Sequence, residues 1–476
     1  MSEGTLLVGP FNRVEGDLEV RLEVADGRVT AAYCNSPLFR GFERMLLGKG
    51  PLDALTITPR ICGICSISQS MAAALALEDM AGGGMSPEGA KVAALLHMVE
   101  NVADHLTHFN LFFMPDFARL CYSGRDWHER AVRRFTAMEG SAVRRGTEAR
   151  ARLLHIVGLL GGKWPHTLAI QPGGVTRAPS IRDKLRMGAD LRAFRDYLEE
   201  VVFGGPLEDF CALDSVEALM GWGRGDAGLF LEIAEDLQLG AMGRGAGRYL
   251  SYGAYPQNGS TVFARGLWRD GAVHDLDPAA IVEDLSHAWM LGAEAHPSAG
   301  MTLPDEAMRD GAYSWCKAPR LGGLGYETGA LARQVVDGHP LALALAEDGG
   351  VLARVAGRLL ELALTQGAME RMLASVQPEA SFMADVRLPA DGAGVGMVEA
   401  ARGALGHWLR VEKGRIASYQ IVAPTTWNFS PRDAGGVPGP LEAALVGAVV
   451  REDEEEPMSV QHIVRSFDPC MVCTVH

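Results

Sequence analysis

Apolar residues recur at every second position near the start of the chain. The alternation is clearest in Leu18-Glu-Val-Arg-Leu-Glu-Val24 and Val29-Thr-Ala-Ala-Tyr33. A period of two buries one face of a strand, and Asp26-Gly27 supplies turn residues that tolerate positive φ, so residues 5–33 predict a β-hairpin. Within it lies the polar stretch Asn12-Arg13-Val14-Glu15-Gly16-Asp17. Beyond residue 40 the period becomes helical. Residues 40–48 predict a short helix with Arg40, Glu43 and Arg44 near its start, and Ser68–Met80 predicts a second. Gly82-Gly-Gly-Met-Ser86-Pro87-Glu88 breaks that helix and starts another, with Ser86 as N-cap and Pro87 in the first turn. Leu95, Leu96, Val99, Val102, Leu106 and Phe109 carry it to about Phe113, before Pro115.

Residues 126–157, 180–203 and 351–377 predict three more long helices, with a loop at Pro172-Gly173-Gly174. Residues 240–345, rich in Gly, Pro and aromatic residues, predict short strands and loops, and 408–423 predict strands again. The acidic run Glu452–Glu456 reads as a solvated loop. There are no repeats and no linker. The predicted architecture is one α+β domain spanning 1–476, predominantly helical, with long central helices and a small N-terminal sheet.

Composition changes this picture little. The 476 residues are 48% hydrophobic and 22% charged, an ordinary globular balance. Lys plus Arg number 44 against 59 Asp plus Glu, and the net charge of -15 argues against a nucleic-acid face or an anionic membrane surface. No apolar run approaches the roughly 18 residues of a membrane span. The first residues lack the basic flank and apolar core of a signal peptide. Cys34, Cys121, Cys211 and Cys316 stand alone, which predicts buried thiols in a reducing compartment, so a cytoplasmic location is expected. Export on a signal-bearing partner is the alternative.

The other four cysteines change it most. Cys62 and Cys65 form one Cys-x-x-Cys pair, and Cys470 and Cys473 form a second at the far end of the chain. Each pair can chelate one ion. Structural zinc sites usually place their pairs about 15–20 residues apart, against about four hundred here, which weakens a zinc reading without removing it. Four soft thiolates suit zinc, nickel, copper(I) or iron–sulfur.

Arg60-Ile-Cys62-Gly-Ile-Cys65 and Asp468-Pro-Cys470-Met-Val-Cys473-Thr-Val-His476 resemble the two signature motifs of the nickel–iron hydrogenase large subunit. Arg13-Val-Glu15-Gly, Arg40-Gly-Phe-Glu43, Pro165-His166, Gly173-Gly-Val-Thr176, Tyr313-Ser-Trp-Cys-Lys-Ala-Pro-Arg320, Ala401-Arg402-Gly and Pro424-Thr-Thr-Trp-Asn428 resemble further family blocks, in the same order. The resemblance implies that Cys62 and Cys470 are terminal nickel ligands. Cys65 and Cys473 would bridge nickel to an iron carrying carbon monoxide and two cyanides. It implies that Cys470 accepts a proton from H2 and that Glu15 relays it outward. Arg402 would lie over the metals with Asp104 and Asp468 as charge partners, and Thr425 and Pro424 would anchor a cyanide. Glu43, His476 and the carbonyl of Ile421 would hold a magnesium-type ion. An iron–sulfur small subunit is implied as partner, in a heterodimer or a dimer of heterodimers.

Some positions depart from the usual pattern. Gln69 stands where most members have histidine, which resembles the H2-sensing regulatory branch and implies a histidine kinase as receiver of the signal. The absence of residues after His476 fits that branch or a processed chain. The alternative is an uptake hydrogenase feeding a respiratory chain. Ala401 replaces a frequent proline. Ile64 and Phe112 are larger than the usual residues at positions that line the family's gas route, which implies slower O2 entry. The double substitution Ile64→Val, Phe112→Leu is expected to speed inactivation by O2, read as residual H2 oxidation after timed air exposure; an unchanged inactivation rate contradicts the channel reading.

Overall fold

The structure is a computed structural model describing residues 4–257, 260–452, 454 and 456–474. Asp453 and Glu455 of the acidic run, and His476, lie outside the described residues. Strands β1 (Gly4–Val8), β2 (Glu19–Ala25) and β3 (Arg28–Asn35) form an antiparallel sheet in that order. Asp26 and Gly27, at φ 50° and 71°, make the β2–β3 turn, as the Asp-Gly pair predicts.

Helix α1 (Ser66–Ala81) begins directly after the first cysteine pair, and α2 (Pro87–Thr107) follows. The Ser86 hydroxyl accepts the Gly89 N–H at 3.1 Å, so the predicted cap is present. The chain then widens into a π turn, His108–Phe113, before Pro115 enters a tight turn. Helices α3 (Ser141–Gly161), α4 (Ile181–Tyr197), α5 (Ala330–Val336), α6 (Val351–Ser375) and α7 (Met458–Ser466) complete the set that frames the centre of the molecule. Helix α2 runs through that centre, against α3, α6 and the sheet of β4 (Tyr249–Gln257), β5 (Ser260–Arg269) and β6 (Ala272–His274). It is buried along most of its length, yet carries His97, Glu100, Asn101, Asp104 and His105. Those polar residues recur at helical spacing and form a buried stripe, which only internal partners can satisfy.

Three predictions need correction. Residues 126–157 form two helices, His128–Phe135 and α3, because the chain folds back on the first helix end between them. A Cβ on Gly140 would lie 2.3 Å from the Arg134 carbonyl oxygen. Residues 240–345 hold helix α5 and a second helix, Pro340–Ala346, besides short strands. The strands expected at 408–423 belong to a three-stranded sheet that begins earlier: β7 (Gly392–Ala400), β8 (Gly403–Glu412) and β9 (Arg415–Val422).

Strand β7 was hidden by Gly392, Gly394 and Gly396, residues that normally weaken a strand. Their purpose is packing. A Cβ on Gly394 would sit 2.0 Å from the Ala76 carbonyl oxygen, and one on Gly396 1.9 Å from that of Ala72. Helix α1 therefore rests on the bare backbone of β7, and the Asp79 carboxylate accepts the Val395 N–H at 2.8 Å. This contact holds the helix that follows the first cysteine pair. Gly396→Ala forces helix and strand apart and is expected to cost at least about 1–3 kcal/mol, read as a lower urea midpoint; an unchanged midpoint contradicts the close-contact account.

Candidate metal centre

Both cysteine pairs lie on short turns held from several sides. Cys62 and Cys65 precede α1, whose first N–H groups need acceptors. Glu100 of α2 supplies them: its carboxylate accepts from Ile67 N and Ser68 N, each at 2.9 Å, from the Ser66 hydroxyl at 3.1 Å and from Trp164 Nε1 at 3.1 Å. Burial pushes its pKa up to about 7 against the pull of those donors. The second pair follows α7. Asp468, at φ 56°, turns the chain inward. Glu15 then clamps the turn by its backbone: its N–H donates to the Pro469 carbonyl at 3.3 Å, and its carbonyl accepts from Met471 N at 2.7 Å. Gly16 makes this approach possible, since a Cβ there would lie 2.9 Å from Val472 Cγ1.

Arg40 fixes one turn against the other, and Asp116 ties the helix before the second turn to the N-terminal segment. Arg40 Nη1 donates to the Ile61 carbonyl at 2.5 Å and to the Val472 carbonyl at 3.0 Å, joining the residues that precede Cys62 and Cys473. Asp116 accepts from Arg465 of α7 at 2.9 and 3.0 Å and from Arg13, and receives His462 Nδ1 at 3.3 Å. Burial opposes its charge, but His462, Arg465 and Arg13 hold its pKa well below the usual range.

The result is four buried sulfurs whose Sγ atoms all lie within 4.8 Å of one another. Cys62–Cys470 and Cys65–Cys473 are 3.4 Å apart, and Cys470–Cys473 3.1 Å. These separations are far longer than the roughly 2.05 Å of a disulfide. They are shorter than the roughly 3.8 Å edge of a tetrahedron built on 2.3 Å zinc–sulfur bonds. Hydrogen bonds with Cys470, Cys473 and Cys65 pull the Cys62 pKa well down, while those with Cys470, Cys473 and Cys62 push Cys65 well up and burial pushes Cys470 well up. Four thiolates so close in a dry site need a cation among them.

Arg402 stands beside the sulfurs, fully buried. Its Nε donates to the Asp468 carbonyl at 3.0 Å and its Nη2 to Asp468 Oδ1 at 3.1 Å and Asp104 Oδ1 at 3.3 Å. Nη1 lies 2.9 Å from Asp104 Oδ2 but makes no hydrogen bond, which leaves donors for a further group. Burial pushes Asp104 up to about 8 against the Arg402 charge, while Asp468 is drawn below its usual range despite its burial, chiefly by Arg402. The Thr425 hydroxyl accepts the Cys470 N–H at 3.2 Å, and Pro424 opens the buried turn Pro424–Asn428. The half-buried Glu15 carboxyl is pushed up by burial and by the charge of Cys62, and drawn down by Arg402 and Arg40.

Glu43 and Ile421 are also together: Glu43 Oε1 accepts the Ile421 N–H at 2.6 Å, and Thr302 bonds the other oxygen. Lys317 Nζ lies 3.9 Å from Glu43 and 3.2 Å from Glu283. A small cavity lined by Glu43, Glu283, Thr302 and Lys317 has a volume of about 10 Å³, room for one water-sized occupant. Lys317 and Glu283 carry no motif signal of their own, although Lys317 lies within the family-like segment Tyr313–Arg320. Gln69 turns its carbonyl to His407 Nε2 at 2.8 Å, and His407 Nδ1 meets Tyr419 OH at 2.8 Å. Ile64 and Phe112 are half-buried, and the Phe112 carbonyl accepts from Arg13 at 2.9 Å. Of the isolated thiols, Cys34 and Cys316 are buried as expected, but Cys121 is exposed because it lies on a surface turn.

The nickel-dependent hydrogenase family model matches residues 40–121 and 145–476. The chain therefore belongs to the nickel-dependent hydrogenases, as a large subunit. It is 30% identical to the periplasmic [NiFeSe] hydrogenase large subunit of Desulfomicrobium baculatum, over 98% of this chain and 94% of the relative. It is 28% identical to the uptake hydrogenase large subunit of Rhodobacter capsulatus, over 99% and 95% respectively. The Ni-Fe-Se hydrogenase structure from Desulfovibrio vulgaris Hildenborough superposes with a TM-score of 0.86 at 27% identity, covering 100% of both chains. All four sulfur positions in this chain are cysteines. The expected cytoplasmic location is corrected by these relatives, since a periplasmic subunit matches end to end. Isolated thiols proved a poor guide to compartment. Among the described residues, no helix is long and apolar enough to cross a membrane.

Asp116→Asn leaves Arg13 and Arg465 without their shared charge and is expected to cost about 3–5 kcal/mol at neutral pH. A folded-state pKa below the unfolded value gives stability that is present above about pH 4 and lost as pH falls below it. Urea titrations at pH 7 and pH 3.5 check both: the gap between the two proteins should be large at pH 7 and shrink at pH 3.5, and equal midpoints at pH 7 contradict the clamp.

Proposed function

We propose that the chain is the H2-splitting subunit of a nickel–iron hydrogenase, converting H2 into two protons and two electrons. The observation that carries this reading is the convergence of four buried sulfurs beside an arginine with donors to spare. Cys62, Cys65, Cys470 and Cys473 would hold a nickel–iron pair, with carbon monoxide and two cyanides on iron, which would supply the redox chemistry. Around it the chain's own groups divide the work. Cys470 takes the proton, and Glu15, whose backbone is bonded to the residues on either side of it, passes the proton outward. Arg402 Nη1, Thr425 and the turn at Pro424 hold the polar ligands of iron, and Asp104 with Asp468 keeps the guanidinium in place. Glu43, whose carboxylate also meets the Ile421 N–H, would hold one hard divalent ion of the magnesium type in the small cavity where Lys317 already places one positive charge. Ile64 and Phe112 narrow the gas route.

The electrons leave through an iron–sulfur small subunit, in keeping with relatives named as large subunits and large chains. The relatives' names, uptake and quinone-reactive, favour a role in H2 oxidation that feeds a respiratory chain, outside the cytoplasm and attached through the partner. Gln69 favours a second reading, an H2 sensor signalling to a histidine kinase. Joined to His407 and unable to titrate, it offers the centre a fixed hydrogen-bonding group in place of a proton acceptor.

Glu15→Gln removes the proton carrier but keeps the backbone clamp. H2 oxidation by the two-subunit complex is expected to fall about 100-fold or more with nickel and iron retained; an undiminished rate contradicts the relay. In the unaltered complex, a kcat near or above the enzyme median of about 10 s⁻¹ supports uptake, and a far slower one supports sensing.

A further inference from the structure

Behind the Arg402 site lies a second buried ion network, centred on Arg333. Arg333 of α5 is fully buried, and all five of its N–H donors are used. Nε donates to Glu361 at 2.9 Å, and Nη2 donates to Glu361 at 2.5 Å and to the Ala401 carbonyl at 3.0 Å. Nη1 donates to Glu399 at 2.7 Å and to the Ala400 carbonyl at 2.8 Å. Ala400 and Ala401 are the two residues before Arg402, at the tight turn from β7 to β8.

The surrounding groups tighten the same turn. Asn101 Nδ2 donates to the Glu399 carbonyl at 2.9 Å, so three successive carbonyls are bonded by side chains. Gly403, at φ 129°, presses so closely on Thr328 that a Cβ would lie 2.3 Å from its hydroxyl oxygen. His105 Nε2 and Gln334 Nε2 reach Glu361 at 2.9 and 3.0 Å. Helix α2 thus serves both networks with adjacent residues: Asp104 faces the Arg402 side chain, and His105 supports the group that holds its backbone. A buried ion pair is an expensive way to gain stability, so a role in fixing geometry needs its own test.

We infer that Arg333 is a positioning residue for Arg402: its fork of donors fixes the Ala400 and Ala401 carbonyls and thereby aims the Arg402 guanidinium at the metal centre. The inference rests on the reading of Arg402 given under the proposed function.

Arg333→Lys keeps the positive charge for Glu361 and Glu399, but one ammonium cannot span two carboxylates and two carbonyls. In the assembled two-subunit complex, kcat for H2 oxidation should fall at least tenfold with KM for H2 changed less than threefold and nickel and iron retained. The infrared bands of the iron-bound cyanides should shift, and amide exchange across 399–404 should quicken. Arg402→Lys, measured alongside, should show the same band shifts and a larger loss. If Arg402→Lys loses activity while Arg333→Lys keeps unaltered kcat, bands and exchange, the inference is overturned and the reading of Arg402 stands. If Arg402→Lys itself turns over normally, that reading falls and the inference with it. Should Arg333→Lys fail to assemble, Ala401→Gly decides. It loosens the turn without touching the ion network, and a threefold or greater loss of kcat with shifted bands supports the inference, whereas unaltered kcat and bands overturn it.

Discussion

Four cysteine sulfurs within 4.8 Å of one another, buried and brought from the two ends of the chain, set the terms for the rest of the structure. Thiolates at that spacing repel one another strongly in a medium of low dielectric. A metal removes the repulsion, but the protein must hold the two turns in place whether or not the metal has arrived. The chain does this with charge and backbone. Arg40 reaches the carbonyls before Cys62 and before Cys473, Glu15 bonds the backbone around Cys470, and Asp116 ties Arg13 to Arg465. Each tie joins the N-terminal third of the chain to its last few dozen residues, so closing the tail completes the site.

Helix α2 is the common support. Glu100 caps α1 beneath the first cysteine pair, Asp104 holds Arg402, and His105 joins the network around Arg333. A helix buried along most of its length that carries a stripe of polar residues is costly unless they find partners. Here the stripe meets groups that orient the centre, which links the helix's 3.6-residue period to the placement of the chemistry.

Much of this was legible in the sequence, for physical reasons. The N-terminal hairpin followed from a period of two and an Asp-Gly turn. Helices α1, α2, α4 and α6 followed from apolar periodicity and, for α2, the Ser86-Pro87 start. The four cysteines lie together, as do Arg402, Asp104 and Asp468, whereas Glu43 meets Ile421 through the Ile421 N–H and not through the carbonyl that the resemblance implied. Strand β7 was missed because its glycines serve contact with α1 and carry no strand signal of their own. The 126–157 break was missed because helix formers continue up to it, and the fold-back rests on a tertiary contact at Gly140. Arg333, Glu361, Glu399 and Glu100 were missed for a different reason. Each is an ordinary charged residue within a helix or strand pattern, and only the three-dimensional fold shows that its partners are backbone groups beside Arg402 or Cys65. Compartment was read wrongly because free thiols report on burial and on bound metal as much as on redox surroundings.

The central claim is that these four sulfurs hold a nickel–iron pair, and metal analysis combined with infrared spectroscopy of the purified two-subunit complex tests it most directly. The account predicts nickel at about one per large subunit, with one iron beyond those of the partner's clusters, and infrared bands from metal-bound carbon monoxide and cyanide. Stoichiometric zinc with no such bands would contradict it.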